Sequence, residues 1–243
     1  MNDLGQYQAV IFDLDGVLAN TAEAHFKAWK EVFDAFLVNR FGQGVRRFDR
    51  EDYRDFVDGL PRHDGIRSFA RSRTVELKES AVERLGELKN RRYHRLLEAG
   101  EFEVIDDSIE VVRGLDRQGV VLGVASSSKN AKRVLDALQI ADLFSVRADG
   151  VTLQEQGLRG KPQPDLFIYA VDRLGVRRQH CAVVEDARSG VEAGKAGGFG
   201  LVVGLGSDEE HCHELRDAGA DVAVTSLRDI YMDEGAGISS RRP

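Results

Sequence analysis

The feature that most restricts the fold is a set of short apolar runs, each stopped abruptly by residues able to carry chemistry. Residues 8–12 (Gln-Ala-Val-Ile-Phe) have the length of a buried strand and break off at Asp13-Leu-Asp-Gly16. Beyond Gly100 the chain alternates. Helical periodicity near 107–117 leads to a strand at 120–125 and a helix at 130–138. A helix at 164–174 precedes a strand at 181–184 and a helix at 187–196. A strand at 200–203, a helix at 209–218 and a strand at 221–224 complete the series. Strands alternating with helices imply right-handed crossovers and a doubly wound parallel sheet, and the run at 8–12 belongs to that sheet.

The intervening stretch has a different character. From 21 to 38 the residues Ala24, Ala28, Val32 and Phe36 recur at helical spacing, with Trp29 and Phe33 beside them. Helical segments at 51–57, 66–70 and 81–97 come next, broken at Gly59-Leu-Pro61, and no strand is expected between 40 and 100. The fold class is therefore α/β: a doubly wound, Rossmann-like core of residues 1–17 and 98–243, with an all-helical block at 18–97 inserted between its first and second strands. The tail from Gly235 to Pro243 reads as frayed, and no internal repeat is visible.

Composition narrows the partners. Apolar residues make up 42% of 243, enough for a core. Lys plus Arg number 34 against 41 Asp plus Glu, a net charge of 34 − 41 = −7, which disfavours nucleic acid and anionic membrane surfaces. No apolar run approaches the ~20 residues of a membrane span, and the N-terminal stretch lacks the basic and apolar regions of a signal peptide. Two cysteines, Cys181 and Cys212, do not make a disulfide scaffold. The expectation is a cytoplasmic monomer acting on a small molecule.

In open parallel sheets ligands sit beyond the carboxyl ends of the strands. Asp13 and Asp15 follow the first run, Ser126-Ser-Ser128 the second and Glu185-Asp186 the third, while Lys161 lies in the loop Gly160-Lys-Pro-Gln-Pro164 ahead of a helix. Taken singly, each has a bland explanation: a turn-forming Asp, a serine N-cap, a solvated acidic pair. Gathered at one sheet edge they are hard to explain as capping. Four carboxylates repel unless a cation sits among them, and hard oxygen ligands suit Mg²⁺. A lysine, a serine hydroxyl and backbone amides beside them fit a phosphoryl group. An Asp carboxylate can serve as nucleophile, and Asp15, in a turn loosened by Gly16, as general acid and base.

Asp13-Leu-Asp-Gly-Val17, Ser126, Lys161 and Glu185-Asp186 resemble, in order, the four signature motifs of the haloacid dehalogenase superfamily of phosphotransferases, whose helical cap is inserted where this chain has its helical block. Thr21-Ala-Glu-Ala-His-Phe-Lys-Ala-Trp29, Gly59-Leu-Pro-Arg62, Lys89-Asn90, Ala125-Ser-Ser-Ser-Lys-Asn130 and Lys161-Pro-Gln-Pro-Asp-Leu-Phe167 extend the likeness to the β-phosphoglucomutase-like branch. The resemblance implies that Asp13 is nucleophile and Mg²⁺ ligand. It makes Asp15 the acid/base, lending its carbonyl to the metal, with Glu185 and Asp186 completing the metal site, directly or through water. Ser126, the Ser127 amide and Lys161 would hold the transferring phosphoryl group. Arg62 and Asn130 would bind the distal phosphate of a sugar bisphosphate, and His25 and Lys89 would help close the cap around Asp15.

The expected reaction is interconversion of β-glucose 1-phosphate and glucose 6-phosphate, with hydrolysis of a small sugar phosphate as the alternative. Asp58 stands where the mutases carry a lysine, and Ile105-Asp-Asp-Ser-Ile109 replaces an aromatic-Pro-Gly turn. A signalling receiver module also uses Asp and Mg²⁺ on such a sheet, but has no use for an ~80-residue helical insertion.

Other signals point elsewhere. Gly194-Lys-Ala-Gly-Gly-Phe-Gly200 ends a helix rather than opening one, so it reads as a C-cap and not a dinucleotide loop. His211-Cys-His213 lacks a partner pair at zinc-ligand spacing and reads as a helix start. Cys181 reads as a small buried side chain, and Arg71-Ser-Arg73 as a loop in the helical block.

Overall fold

The computed structural model describes residues 3–57, 60 and 62–231. Asp58, Gly59, Pro61 and the tail 235–243, each singled out in the sequence, lie outside the described residues. The chain divides into two units, one of Met1–Asn20 with Glu103–Pro243 and the other of Thr21–Phe102.

The first unit is built on β1 (Ala9–Phe12), whose four residues are all buried. A strand in the middle of a parallel sheet is covered on both faces, which is why it reads as an unbroken apolar run. A short antiparallel pair, β2 (Ala19–Asn20) and β3 (Glu103–Val104), flanks the point where the helical unit leaves and returns. The remaining strands are β4 (Val121–Ala125), β5 (Val146–Ala148), β6 (Cys181–Glu185), β7 (Leu201–Leu205) and β8 (Val222–Val224). They pair in parallel in the order β5-β4-β1-β6-β7-β8. The chain fills one side of β1 and then crosses to the other, so the switch point, where such sheets bind ligands, falls at the carboxyl end of β1.

The expected strands at 8–12, 120–125, 181–184, 200–203 and 221–224 are present within a residue or two. Sequence periodicity does not reveal β5, β2 or β3. β5 is a three-residue edge strand with Arg147 at its centre, and β2 and β3 have two residues each, too short to show a period.

In chain order the helices of the second unit are α1 (Ala22–Phe41), α2 (Arg50–Phe56), α3 (Arg62–Ser72) and α4 (Glu79–Glu98). Phe33, Phe48 and Phe69 pack ring on ring at its centre, Phe33 to Phe69 at 4.3 Å and Phe48 to Phe69 at 4.9 Å between centroids, with Trp29 stacked on Phe33. Such pairs add about 0.5–1.5 kcal/mol each beyond the area they bury. Asp49 and Asp52 form a reciprocal capping box at the start of α2. Arg71 and Ser72 lie in the last turn of α3 rather than in a loop, and Arg73 just beyond it donates to the buried Asp52 at 2.6 Å.

Back in the first unit, α5 (Asp106–Arg117), α6 (Ala131–Ala137), α7 (Gly150–Gln156), α8 (Asp165–Leu174), α9 (Arg188–Gly197) and α10 (Glu209–Asp217) accompany the sheet. α7 is a further element the apolar pattern does not disclose. Its signal is a cap: Asp149 accepts from the amides of Val151 at 2.9 Å and Thr152 at 3.1 Å. Gly198 closes α9 in the left-handed conformation ahead of β7, the C-cap expected for the Gly194–Gly200 stretch. His211 accepts from the Ser207 amide at 3.1 Å as part of the α10 start, and Cys212 beside it is buried. Among the described residues no helix is long and apolar enough to cross a membrane.

Candidate active site

The carboxyl ends of β1, β4 and β6 lie side by side because register pairs Phe12 with both Val124 and Val184. The residues just past each of these strands therefore meet at one rim. Asp13 leaves β1 with its amide still donating to Val184 O at 2.9 Å, so its position is fixed by the sheet. Ser126 leaves β4 with its amide on Ala148 O at 3.0 Å. Glu185 is the last residue of β6.

Lys161, 148 positions from Asp13, enters from the loop before α8. Its amine has three donors. One goes to Asp13, one to Glu185, and one to the Ala125 carbonyl at 3.1 Å. Lys161 and Asp13 side chains are 8% and 9% exposed and that of Glu185 1%, so the triad is dry. The aromatic ring of Phe167, in the first turn of α8, lies 4.9 Å from the amine. Burial penalises the charged amine, but the Asp13 and Glu185 carboxylates outweigh it and hold the Lys161 pKa above its ordinary value. Burial also raises the pKa of Glu185, which Lys161 opposes.

Asp15 sits in a tight turn. The Gly16 amide donates to Ala19 O at 2.8 Å and the Leu18 amide to Leu14 O at 2.9 Å, folding the segment back beside Asp15. Gly16 has φ +83°, and a side chain there would meet the Asp186 carboxylate at 1.8 Å. Only glycine allows the Asp15 turn and Asp186 to approach so closely. A cleft of about 410 Å³ opens beside them, lined by Gly16, Asn20, Glu103, Asp186, Ser207 and His211 among others.

The serine loop is organised by its own side chains: Ser126 Oγ accepts from the Ser128 amide at 3.1 Å and Ser128 Oγ from the Asn130 amide at 3.2 Å. Ser127 is the exposed residue of the three, and Asn130 is the N-cap of α6.

The donor set suits a divalent cation of the Mg²⁺ type. Asp186, half-buried, has its pKa pushed up to about 8 by burial and by the neighbouring Glu185 and Asp13 charges. That is a site short of positive charge. Glu185, expected to complete the metal site directly or through water, takes Lys161 on one oxygen and the Ala187 amide, at 3.0 Å, on the other. Among the described residues no three His, Cys, Asp or Glu side chains form a metal cluster by themselves. Mg²⁺ is commonly bound by one or two carboxylates, with waters and substrate phosphate oxygens completing its shell, so Asp13 and Asp186 meet the requirement.

The other expected residues belong to the helical unit. The Lys89 amine lies 2.7 Å from His25 Nδ1, and the Lys89 residue is 3% exposed. Burial, then Lys89 and Arg62, push the His25 pKa down to about 3, so its ring is neutral and accepts from the amine. Arg62 donates to the Asn90 amide oxygen at 3.1 Å. The structure thus groups His25 with Lys89 and Arg62 with Asn90, and groups Asp13, Lys161 and Glu185 separately in the other unit.

Sequence reasoning misses three participants: the Ala125 carbonyl, the Phe167 ring and Gly190, against whose Cα the Glu185 carboxylate lies. None carries an ionisable or nucleophilic side chain, so no residue-type signal marks them.

Comparison with known proteins agrees with this architecture. The model of the haloacid dehalogenase-like hydrolase family matches residues 7–198. The chain is 41% identical over 238 residues, 92% of its length and 91% of the relative's, to a β-phosphoglucomutase of Mycobacterium tuberculosis. It is 34% identical to a β-phosphoglucomutase of Bacillus subtilis, covering 93% of this chain and 92% of that one. Among solved structures, β-phosphoglucomutase from Clostridium difficile superposes with a TM-score of 0.71 at 25% identity, over 93% and 94% of the two chains.

Proposed function

The chain belongs to the haloacid dehalogenase-like hydrolase family, in its β-phosphoglucomutase-like branch, and on that footing we propose that it is a β-phosphoglucomutase interconverting β-glucose 1-phosphate and glucose 6-phosphate. The observation that carries the phosphotransferase reading is the dry Lys161 amine clasped between Asp13 and Glu185 at the switch point of the sheet. Phosphoryl transfer asks for positioning and charge neutralisation more than for elaborate covalent chemistry. A buried cation beside a strand-anchored carboxylate supplies both.

In the first half-reaction an Asp13 oxygen bonds to phosphorus as the bond from phosphorus to the leaving sugar oxygen breaks, and Asp15 gives that oxygen its proton. In the second, Asp15 takes the proton from the acceptor hydroxyl, whose oxygen attacks phosphorus and releases Asp13. Lys161, the Ser126 hydroxyl and the Ser127 amide hold the phosphoryl oxygens, and Glu185 keeps the amine charged and in place. Asp13, Asp186 and the Asp15 carbonyl would hold Mg²⁺, which supplies further positive charge against the phosphoryl oxygens. Arg62 offers donors to the second phosphate of a bisphosphate.

The mutase reading over hydrolysis is supported by the likeness to β-phosphoglucomutases at 41% and 34% identity. The test is to supply β-glucose 1-phosphate, Mg²⁺ and a trace of the 1,6-bisphosphate and measure both products. Glucose 6-phosphate is expected to form faster than inorganic phosphate; the reverse ratio assigns the protein as a sugar-phosphate phosphatase.

A further inference from the structure

Gly190 is the third residue of α9 and is buried. Its backbone has no positive φ, so nothing in its conformation requires glycine, and helix propensity by itself favours alanine. The space around it does require glycine. A Cβ at Gly190 would lie 1.9 Å from both Cδ and Oε1 of Glu185 and 2.4 Å from Oε2. The Glu185 carboxylate cannot simply step aside. Oε2 is held by the Ala187 amide at 3.0 Å, Oε1 takes the Lys161 amine, and the side chain is 1% exposed. Restoring ordinary contact at 3.4 Å means moving the carboxylate by 3.4 − 1.9 = 1.5 Å. That displacement strains both of its bonds, and loss of the one to Lys161 leaves the amine held by Asp13 and the Ala125 carbonyl alone.

We infer that Gly190 is a positioning residue: by lacking a side chain it lets the Glu185 carboxylate lie flat on the first turn of α9, and so sets where Lys161 stands against Asp13. The inference rests on the reading of Asp13 and Lys161 as the transfer site.

A two-background comparison tests it. Gly190→Ala is expected to lower kcat by about 100-fold, the scale of a displacement near 1 Å in a reacting constellation. Glu185→Asp retracts the carboxylate by one bond, about 1.5 Å, matching the space the methyl needs. In that background Gly190→Ala is expected to cost no more than about twofold, a failure of additivity that contact between the two residues demands. Thermal melting gives a readout independent of any substrate. Gly190→Ala lowers Tm in the native sequence but raises it in a Glu185→Ala background, where only helix propensity remains. If Gly190→Ala alone does not fold, recovery of a cooperative melt by Glu185→Asp supports the inference, and failure to recover overturns it. Native kcat in Gly190→Ala, or equal losses in both backgrounds, also overturns it. If the native chain turns over no sugar phosphate, the proposed function fails, while the melting comparison still decides whether Gly190 seats Glu185.

Discussion

Replacing Lys161 by Met keeps an unbranched side chain one heavy atom shorter and removes its charge, leaving two buried carboxylates facing an uncharged, apolar end. Breaking a buried ion pair by removing one partner costs about 3–5 kcal/mol, because the remaining charge is uncompensated. Here a ceiling follows from protonation. Once the amine is gone the folded protein can take up a proton on Glu185, which burial already biases upward. Relative to an unfolded glutamate with a pKa of about 4.3, that uptake costs about 1.4 kcal/mol per pH unit, or about 4 kcal/mol at pH 7 and about 1.6 kcal/mol at pH 5.5. The sign is that of a raised carboxyl pKa: the folded variant binds the extra proton, so it gains on the native protein as the pH falls. Urea denaturation of both proteins at pH 7 and 5.5 should show a deficit of about 3–4 kcal/mol that shrinks by roughly half. An equally stable variant at pH 7, or a deficit unchanged in acid, would refute the dry Asp13–Lys161–Glu185 triad.

Asp13→Asn should abolish turnover while leaving the circular dichroism melt cooperative, and appreciable residual activity would contradict covalent catalysis. His25 has a folded pKa pushed down to about 3 against about 6.5 unfolded, so its contribution to stability is complete above pH 6.5 and falls away in acid, by at most about 1.4 kcal/mol per pH unit. His25→Gln should therefore flatten the loss of stability between pH 6 and 4.5, measured by urea titration at each pH. Asp52, 1% exposed and held by Arg73 at 2.6 Å and Arg46 at 3.2 Å, anchors the helical unit, so Asp52→Ala should cost about 3 kcal/mol in denaturant melts.

Much of the rim is legible in the chain itself. Strand β1 and the strands on either side of it are covered on both faces, so they read as uninterrupted apolar runs, and the residues that end them fall at one rim by the geometry of a parallel sheet. Asp13, Ser126 and Glu185 can be placed for that reason. Lys161 is harder to place, since its approach depends on how the loop before α8 returns to the rim. The partners of Glu185 are not legible at all. Counting carboxylates points all four at a cation and does not disclose that the Lys161 amine bridges two of them, Asp13 and Glu185. β5 escapes notice because its edge position tolerates Arg147, and α7 because its start is written in Asp149 rather than in apolar spacing. Gly190 escapes because its function lies in an atom it lacks.

The central claim is that phosphoryl groups pass through the carboxylate of Asp13. Mixing the enzyme with Mg²⁺ and sugar bisphosphate, quenching in acid within the first turnover and mapping phosphate by peptide mass spectrometry tests it directly. Phosphate on the peptide containing Asp13, absent from the Asp13→Asn protein, is the predicted result; turnover with no phosphate at that residue would contradict the account.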